Sequence, residues 1–513
     1  MNNFSMQKRT HLVKRGVLLG LFRQVLSLLL PFITRSLIIY HFGIHYVGIN
    51  SLFSSILQVL NLTELGFGTV IVYSLYQPLA QQNTDMIRAI LKYYRKIYRI
   101  IGIIILCVGL ALLPLLPHLV QDQTLPEGLH LSVCYLIFLT DTVIGYLLFG
   151  YLTAVPTATQ RTDLLSRWDI LFLIIKSLLQ ILILLFANSF YWFLLSMPLL
   201  TIVRNLFFAH QIRQQFPDYI PKGELSKSHK RELRKQLPAL FINKVFTVSR
   251  NSLDTICISA FISLTMAGIY SNYFLVMSAL ISVSGILSQA MIPSVGNSLV
   301  TETTEKNYRD MRRFDFLYTW IGGWAAVCLL CLYQPFMTIW TGKDMLLDGP
   351  AVLGLSLYFY LLKAGDMRWI YHEGAGLWWQ SRYIALAEAA ANVVLNIVLC
   401  KFMGITGIIL ATLISLFFIN DICCPIILFR HYFKNGKLME YYKDHVLYFL
   451  SLLPGGILCV LLCRWIPAEG LSAFLLRTPI CIIVPGISYY LLWCKNALCR
   501  EALSWLRSLI RIK

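Results

Sequence analysis

The chain has 513 residues, of which 57% are hydrophobic and 13% charged, with a formal net charge of +19 and a mean hydropathy of +0.66. A soluble globular chain carries about 25% charged residues, so a soluble enzyme or binding module is excluded. The basic excess does not mark a nucleic-acid binder, because the places of the cations on a membrane topology account for it better.

About fourteen apolar segments long enough to cross a bilayer follow one another: 16–40, 45–75, 97–119, 129–154, 168–187, 189–210, 239–262, 267–292, 315–340, 349–372, 383–402, 404–429, 446–464 and 475–494. This predicts an all-α polytopic membrane protein. With both termini cytoplasmic, the outward segments hold only Lys343, Lys401, Arg464 and Arg477, as the positive-inside rule requires. Residues 1–15 are polar and basic, and the first apolar stretch is too long for a signal h-region, so no cleavable signal is expected.

The first span carries Arg23 and Arg35, twelve residues and so about 120° apart around a helix. They cannot hold one group together, but they suit an anion at two stages of passage; for Arg35, reaching out to the surface is an equal alternative. Gly48-Ile49-Asn50-Ser51 opens the second span, which carries Glu64, a proton carrier or a partner for a cation. Asp141 lies in the fourth span. Lys176 is alone and deep in the fifth, which favours a cavity position, whereas Arg204, toward the inner end of the sixth, is expected to snorkel. The basic stretch 211–237 follows as a linker and topology determinant.

Asn243, Thr247, Arg250 and Asp254 in the seventh span are spaced 4, 3 and 4, which stacks them on one helical face beside Lys244. Either Arg250 and Asp254 neutralise each other, or Arg250 faces a cavity while Asp254 helps bind a coupling ion. Gly268-Ile269-Tyr270-Ser271 opens the eighth span and repeats the earlier tetrapeptide at an offset of 220 residues. Six spans separate the copies, so they run the same way across the membrane, as in transporters built from parallel repeats. Cys328 and Cys331 form a C-x-x-C in an apolar helix, read as small buried hydrophobes, with no metal expected.

The tenth span holds Lys363, Asp366 and Arg368, with His372 near its end. Lys363 is the better cavity candidate and Asp366 its counter-charge. Glu388, Asn392 and Asn396 recur every four residues along the eleventh span. Three oxygen-bearing side chains on one face suit a small hard cation, and interhelical hydrogen bonding explains the asparagines almost as well. Asp421 lies near the cytoplasmic end of the twelfth. Residues 496–513 read as a basic amphipathic helix on the anionic leaflet.

The expected organisation is a six-helix bundle over 1–210, the linker 211–237, a second six-helix bundle over 238–430, two additional helices over 446–494 and the tail 495–513. No P-loop, zinc signature or nucleophile elbow is present, and no outer loop is long enough for the catalytic residues of a membrane glycan polymerase or ligase. The chain is therefore expected not to be an enzyme.

Gly48 to Phe53, Asn61 to Gly68, Tyr73 to Ala80, Tyr94 to Arg99, Ile258 to Phe261, Gly268 to Tyr273 and Gly404 to Thr412 together resemble the Wzx-type oligosaccharide flippases of the multidrug/oligosaccharidyl-lipid/polysaccharide (MOP) exporter superfamily. The resemblance covers essentially the whole chain. It implies two six-helix bundles facing each other in a V plus two extra helices. It also implies transfer of a polyprenyl-pyrophosphate-linked glycan across the bacterial cytoplasmic membrane, in the company of glycan polymerase or glycosyltransferase partners. In the related lipid II flippases, arginines of the first span and bundle walls line a cationic cavity; Arg23, Arg35 and Arg250 are the counterparts here, joined by Lys176 and Lys363 on the reading of the spans. Some relatives hold a cation between the seventh and eleventh spans, and Asp254, Asn392 and Asn396 match in kind. The carboxylate expected beside the asparagine is not at Asn396; Glu388, one turn before Asn392, takes its place. No cofactor is expected beyond Na⁺ or H⁺ as coupling ion. The rival expectation is a cation-driven multidrug exporter, which needs an anionic or aromatic cavity.

Overall fold

The computed structural model describes residues 2–61, 67–121, 128–231, 233, 252–434 and 437–511, and every regular element among them is helical. In chain order these are α1 (Asn2–Phe42), α2 (Ile44–Leu60), α3 (Phe67–Ala80), α4 (Thr84–Leu112), α5 (Leu131–Leu147), α6 (Thr162–Leu182), α7 (Phe190–Gln215), α8 (Ser252–Phe261) and α9 (Leu264–Thr301). Then follow α10 (Thr304–Trp340), α11 (Gly349–Ala364), α12 (Asp366–Gly374), α13 (Trp378–Ser415), α14 (Ile422–Leu428), α15 (Leu438–Trp465), α16 (Gly470–Trp493) and α17 (Ala497–Arg511).

Among the described residues, nine helical stretches are long and apolar enough to cross a membrane, and α5 with the bent piece Gly150–Ala158 makes a tenth. This bears out the all-α polytopic class. One of the nine, Trp378–Phe433, contains two of the segments expected from hydropathy. Gly404, at φ 54° and ψ −131°, divides α13 into two arms, a backbone conformation essentially reserved for glycine. Gly407 then packs against the backbone of Leu399, so the arms fold back on one another.

The chain forms two compact units, Met1–Gly268 and Ile269–Lys513. The boundary falls just after the start of α9. The reason is packing: Ser252 donates to Gln58 (2.9 Å) and Ser259 to the Leu119 carbonyl (2.8 Å), so α8 sits with the first unit. In that unit α1 lies along α6, and α5 packs against α4 and α7. In the second unit α10 is the hub, touching α11, α15, α16 and α17. Near the N-terminal end of α10, Arg312 clamps α15 through Asp444 (2.5 Å) and Glu440 (2.7 Å). The amphipathic α17 buries Cys499 and Ala502 and sets Trp505 edge-on against Phe314 of α10. Part of its apolar face is thus covered by protein.

The two glycines that open the repeated tetrapeptides meet. A β-carbon on Gly48 would overlap the Leu264 carbonyl oxygen, and one on Gly268 would lie 2.7 Å from the Ile44 carbonyl oxygen and 3.1 Å from the Gly48 amide nitrogen. Backbone carbonyls cannot rotate away as a side chain can, so this crossing accepts only glycine. Gly48→Ala is expected to cost about 1–3 kcal/mol by overpacking and to lower the thermal unfolding midpoint in detergent. Gly20→Ala, with nothing within 4 Å of its new methyl, is expected to hold or slightly raise the midpoint, because alanine favours a helix over glycine.

Candidate functional site

In the first unit, α1, α6 and α7 bring three of the intramembrane cations to one polar cavity of about 440 Å³. Asp169, near the start of α6, is its centre. Its two carboxylate oxygens accept separately from Arg23 of α1 (2.9 Å) and Arg204 of α7 (2.6 Å). Lys176, two turns along α6 on the same wall, has no ion pair or hydrogen bond among the described residues. Gln24, Ser27 and Thr201 supply neutral polar groups, and Thr201 donates to Asp141 at 2.5 Å. The guanidinium of Arg204 also lies over the Phe208 ring, 4.3 Å from its centre. The wall therefore carries three cations against one carboxylate, and Arg23 remains 44% exposed.

Arg204, expected to snorkel, pairs with Asp169 and stays 37% exposed. Asp169 itself was missed, since it sits at the edge of an apolar segment and its partners are 146 and 35 residues away. Only its helical register with Phe172 and Lys176 hinted at a shared face. Arg35, twelve residues or ~18 Å along α1, does not line this cavity. Arg250 and Glu64, like Lys244, Asn243 and Thr247, lie outside the described residues. Asp254 is buried in α8.

The second unit treats its cations differently. Lys363 is buried where Gly322 of α10 lets α11 approach, and its ammonium donates to Asp366 (2.6 Å) and Ser284 (2.8 Å). Arg368 of α12 donates to Asp421 and to the Asn420 side-chain carbonyl, both at 2.7 Å. Asn420 in turn donates to Glu388 at 2.9 Å. One chain of hydrogen bonds thus ties α12 to the long arm of α13 through the segment after it. Asn392 donates to Thr412 (3.0 Å) on the other arm of α13, and Asn396 donates to the Asn392 side-chain oxygen (3.3 Å). The two asparagines lie together, while Glu388 turns toward Asn420. Lys363 and Arg368 thus each have a carboxylate of their own. Beside Arg368 and Asp421 opens a larger cavity of about 700 Å³, walled mainly by Leu357, Tyr360, Phe417, Phe418, Val446 and Phe449.

This arrangement can be compared with known proteins. No protein-family model matches the chain, and no curated protein matches it by sequence. Solved structures do. The lipid II flippase MurJ in an inward closed conformation superposes with a TM-score of 0.65 at 14% identity, covering 93% of this chain and 98% of that one. An inward-facing multidrug resistance MATE family transporter of the MOP superfamily gives 0.58 at 11% identity, covering 82% and 96%. The Vibrio cholerae MATE transporter VcmN, in a point-mutant form, gives 0.57 at 13% identity, covering 84% and 100%. The chain shares the fold of these solved transporters. At these identities the likeness extends to the fold and no further.

The two kinds of cation should respond differently to truncation. Arg368→Ala strands the buried Asp421 and is expected to destabilise the protein by about 3–5 kcal/mol, read as a fall in the thermal midpoint in detergent. Adding Asp421→Asn to that variant should recover part of the loss, because the uncompensated charge is then gone.

Proposed function

We propose that this chain is a flippase that carries a polyprenyl-pyrophosphate-linked oligosaccharide from the inner to the outer leaflet of the bacterial cytoplasmic membrane by alternating access, and that it is not an enzyme. The observation that carries this reading is the wall of Arg23, Arg204 and Lys176 around a single carboxylate. A pyrophosphate cannot enter hydrocarbon unpaired, since burying a bare ion costs tens of kcal/mol by a Born estimate. Guanidinium and ammonium groups offset this with short charge-assisted hydrogen bonds. Asp169 keeps the two guanidinium groups in place before the anion arrives, and the anion competes with it for their remaining donors.

The lipid tail has the opposite requirement. At ~0.8 kcal/mol per buried CH₂, a polyprenyl chain stays in an apolar medium, and the apolar cavity beside Phe417 and Phe449 suits such a chain. The fold shared with a lipid II flippase supports the substrate class. The fold shared with multidrug transporters is compatible with the rival exporter, but a cavity rich in cations repels cationic drugs. Roles for Arg35, Arg250 and Lys363 toward the substrate, and for Asp254, Glu388, Asn392, Asn396 and Glu64 toward a coupling Na⁺ or H⁺, belong to the same proposal. Each positive charge entering across 100 mV contributes ~2.3 kcal/mol to the cycle.

Arg23→Ala and Lys176→Ala are each expected to abolish surface glycan in a producing strain, with membrane levels of the protein unchanged by immunoblot. Arg250→Ala should do the same. Full glycan display in both Arg23→Ala and Lys176→Ala would overturn the cationic-cavity reading.

A further inference from the structure

Four cysteines of the second unit converge where α10, α15 and α16 meet. Cys459 and Cys463 lie one turn apart on α15, which puts both sulfurs on one face. Cys331 comes from α10 and Cys481 from α16. All four are buried, and their sulfurs lie within 4.8 Å of one another. The Sγ–Sγ separations are 3.9 Å for Cys331–Cys459, and 3.8 Å for both Cys459–Cys481 and Cys463–Cys481.

Those distances have a chemical meaning. A disulfide brings sulfurs to about 2.05 Å, far shorter than any of them. An iron–sulfur cluster holds its thiolates apart across several atoms. A single tetrahedral zinc ion with Zn–S bonds of about 2.3 Å places its ligands at the corners of a tetrahedron with edges of ~3.8 Å.

The surroundings fit a charged site better than a plain apolar contact. The Cys481 carbonyl has lost its usual partner in the helix, because residue 485 is a proline without an N–H. Trp324 donates to that carbonyl at 2.9 Å and Cys328 at 3.2 Å, fixing the turn that presents the Cys481 sulfur. The C-x-x-C pair of the sequence is thereby divided: Cys331 joins the quartet and Cys328 braces it. Four thiolates around Zn²⁺ leave a charge of −2. Arg464 follows Cys463 in the chain, and Arg477 stands one turn before Cys481 with its buried Nε lacking any partner among the described residues.

We propose that Cys331, Cys459, Cys463 and Cys481 bind one zinc ion as a structural site. Binding converts four thiols to thiolates, forms four Zn–S bonds and releases four protons. With all four positions filled by protein, the ion has no place for a substrate or water. Its role is to pin α15 and α16, the two helices beyond the twelve of the repeat, onto α10. A copper(I) ion would leave a −3 charge and favours fewer thiolates, so zinc is the ion the charge balance selects.

The test uses the full-length protein purified in detergent from cells grown with added zinc. Metal analysis should find about one zinc per chain, and X-ray absorption at the zinc edge four sulfur neighbours at ~2.3 Å. Zinc should fall to trace in the Cys459→Ser/Cys481→Ser double variant and persist in Cys328→Ser. Wild-type protein with no zinc and all thirteen thiols free, counted by maleimide labelling after denaturation, would overturn the proposal. So would two disulfides, copper in place of zinc, or undiminished zinc in the double variant. The wild-type measurement decides even where the double variant does not fold.

Discussion

An ionised side chain within hydrocarbon costs at least ~2.5–3.5 kcal/mol, and this chain distributes such groups along most of its first ten spans. How each unit meets that cost determines what the unit can do. In Ile269–Lys513 two deep cations are locked: Lys363 to Asp366 and Ser284, Arg368 to Asp421 and Asn420, with Glu388 drawn into the latter chain of hydrogen bonds. Such pairs contribute little net stability against an apolar alternative, yet breaking one by truncation is expensive. They fix helices in register. In Met1–Gly268 one carboxylate serves two guanidinium groups, and Lys176 stands beside them. That surplus of positive charge is not a stabilising device, and a partly open cavity is the setting in which an anionic ligand would complete it.

Hydropathy made the class of fold legible, because the bilayer demands ~20 apolar residues per helix and leaves that demand written in the chain. The repeated glycines were legible for a different reason. Gly48 and Gly268 stand at a crossing of backbones, where any side chain would strike a carbonyl, and so the sequence keeps glycine at both. Hydropathy also set 383–402 and 404–429 apart as two spans, and the non-helical backbone at Gly404 divides the helix there into two arms.

The charged pairs were legible only where they are local. Lys363 and Asp366 are three residues apart, one helical turn, and their pairing follows from spacing alone. Arg204 and Asp169 are 35 apart, and Arg368 and Asp421 are 53 apart. Nothing in a single chain ranks such partners, since their meeting depends on which helix faces pack. The four cysteines are the extreme case. Cys459 and Cys463 share a face by spacing, but Cys331 reaches Cys459 across 128 positions, and a pattern search sees a C-x-x-C that is not the real grouping.

The asparagines of α13 show where the same limit bears on mechanism. Glu388, Asn392 and Asn396 share a face by their spacing, and a face of three oxygens is a reasonable cradle for a small cation. In the folded chain Asn392 spends its amide on Thr412, and Asn396 donates to Asn392. The bond to Thr412 runs between the arms on either side of Gly404 and holds the hairpin closed. A coupling ion arriving there would have to compete for the Asn392 oxygen, which already accepts from Asn396. Glu388 adds a further condition, because its carboxylate already accepts from Asn420, whose carbonyl accepts from Arg368. Neutralising Glu388 by a proton would weaken that bond and, through Asn420, loosen the hold on Arg368. Protonation thus reaches the buried ion pair without displacing any hydrogen-bonded oxygen, which makes a proton the smaller disturbance to this part of the fold than a metal cation.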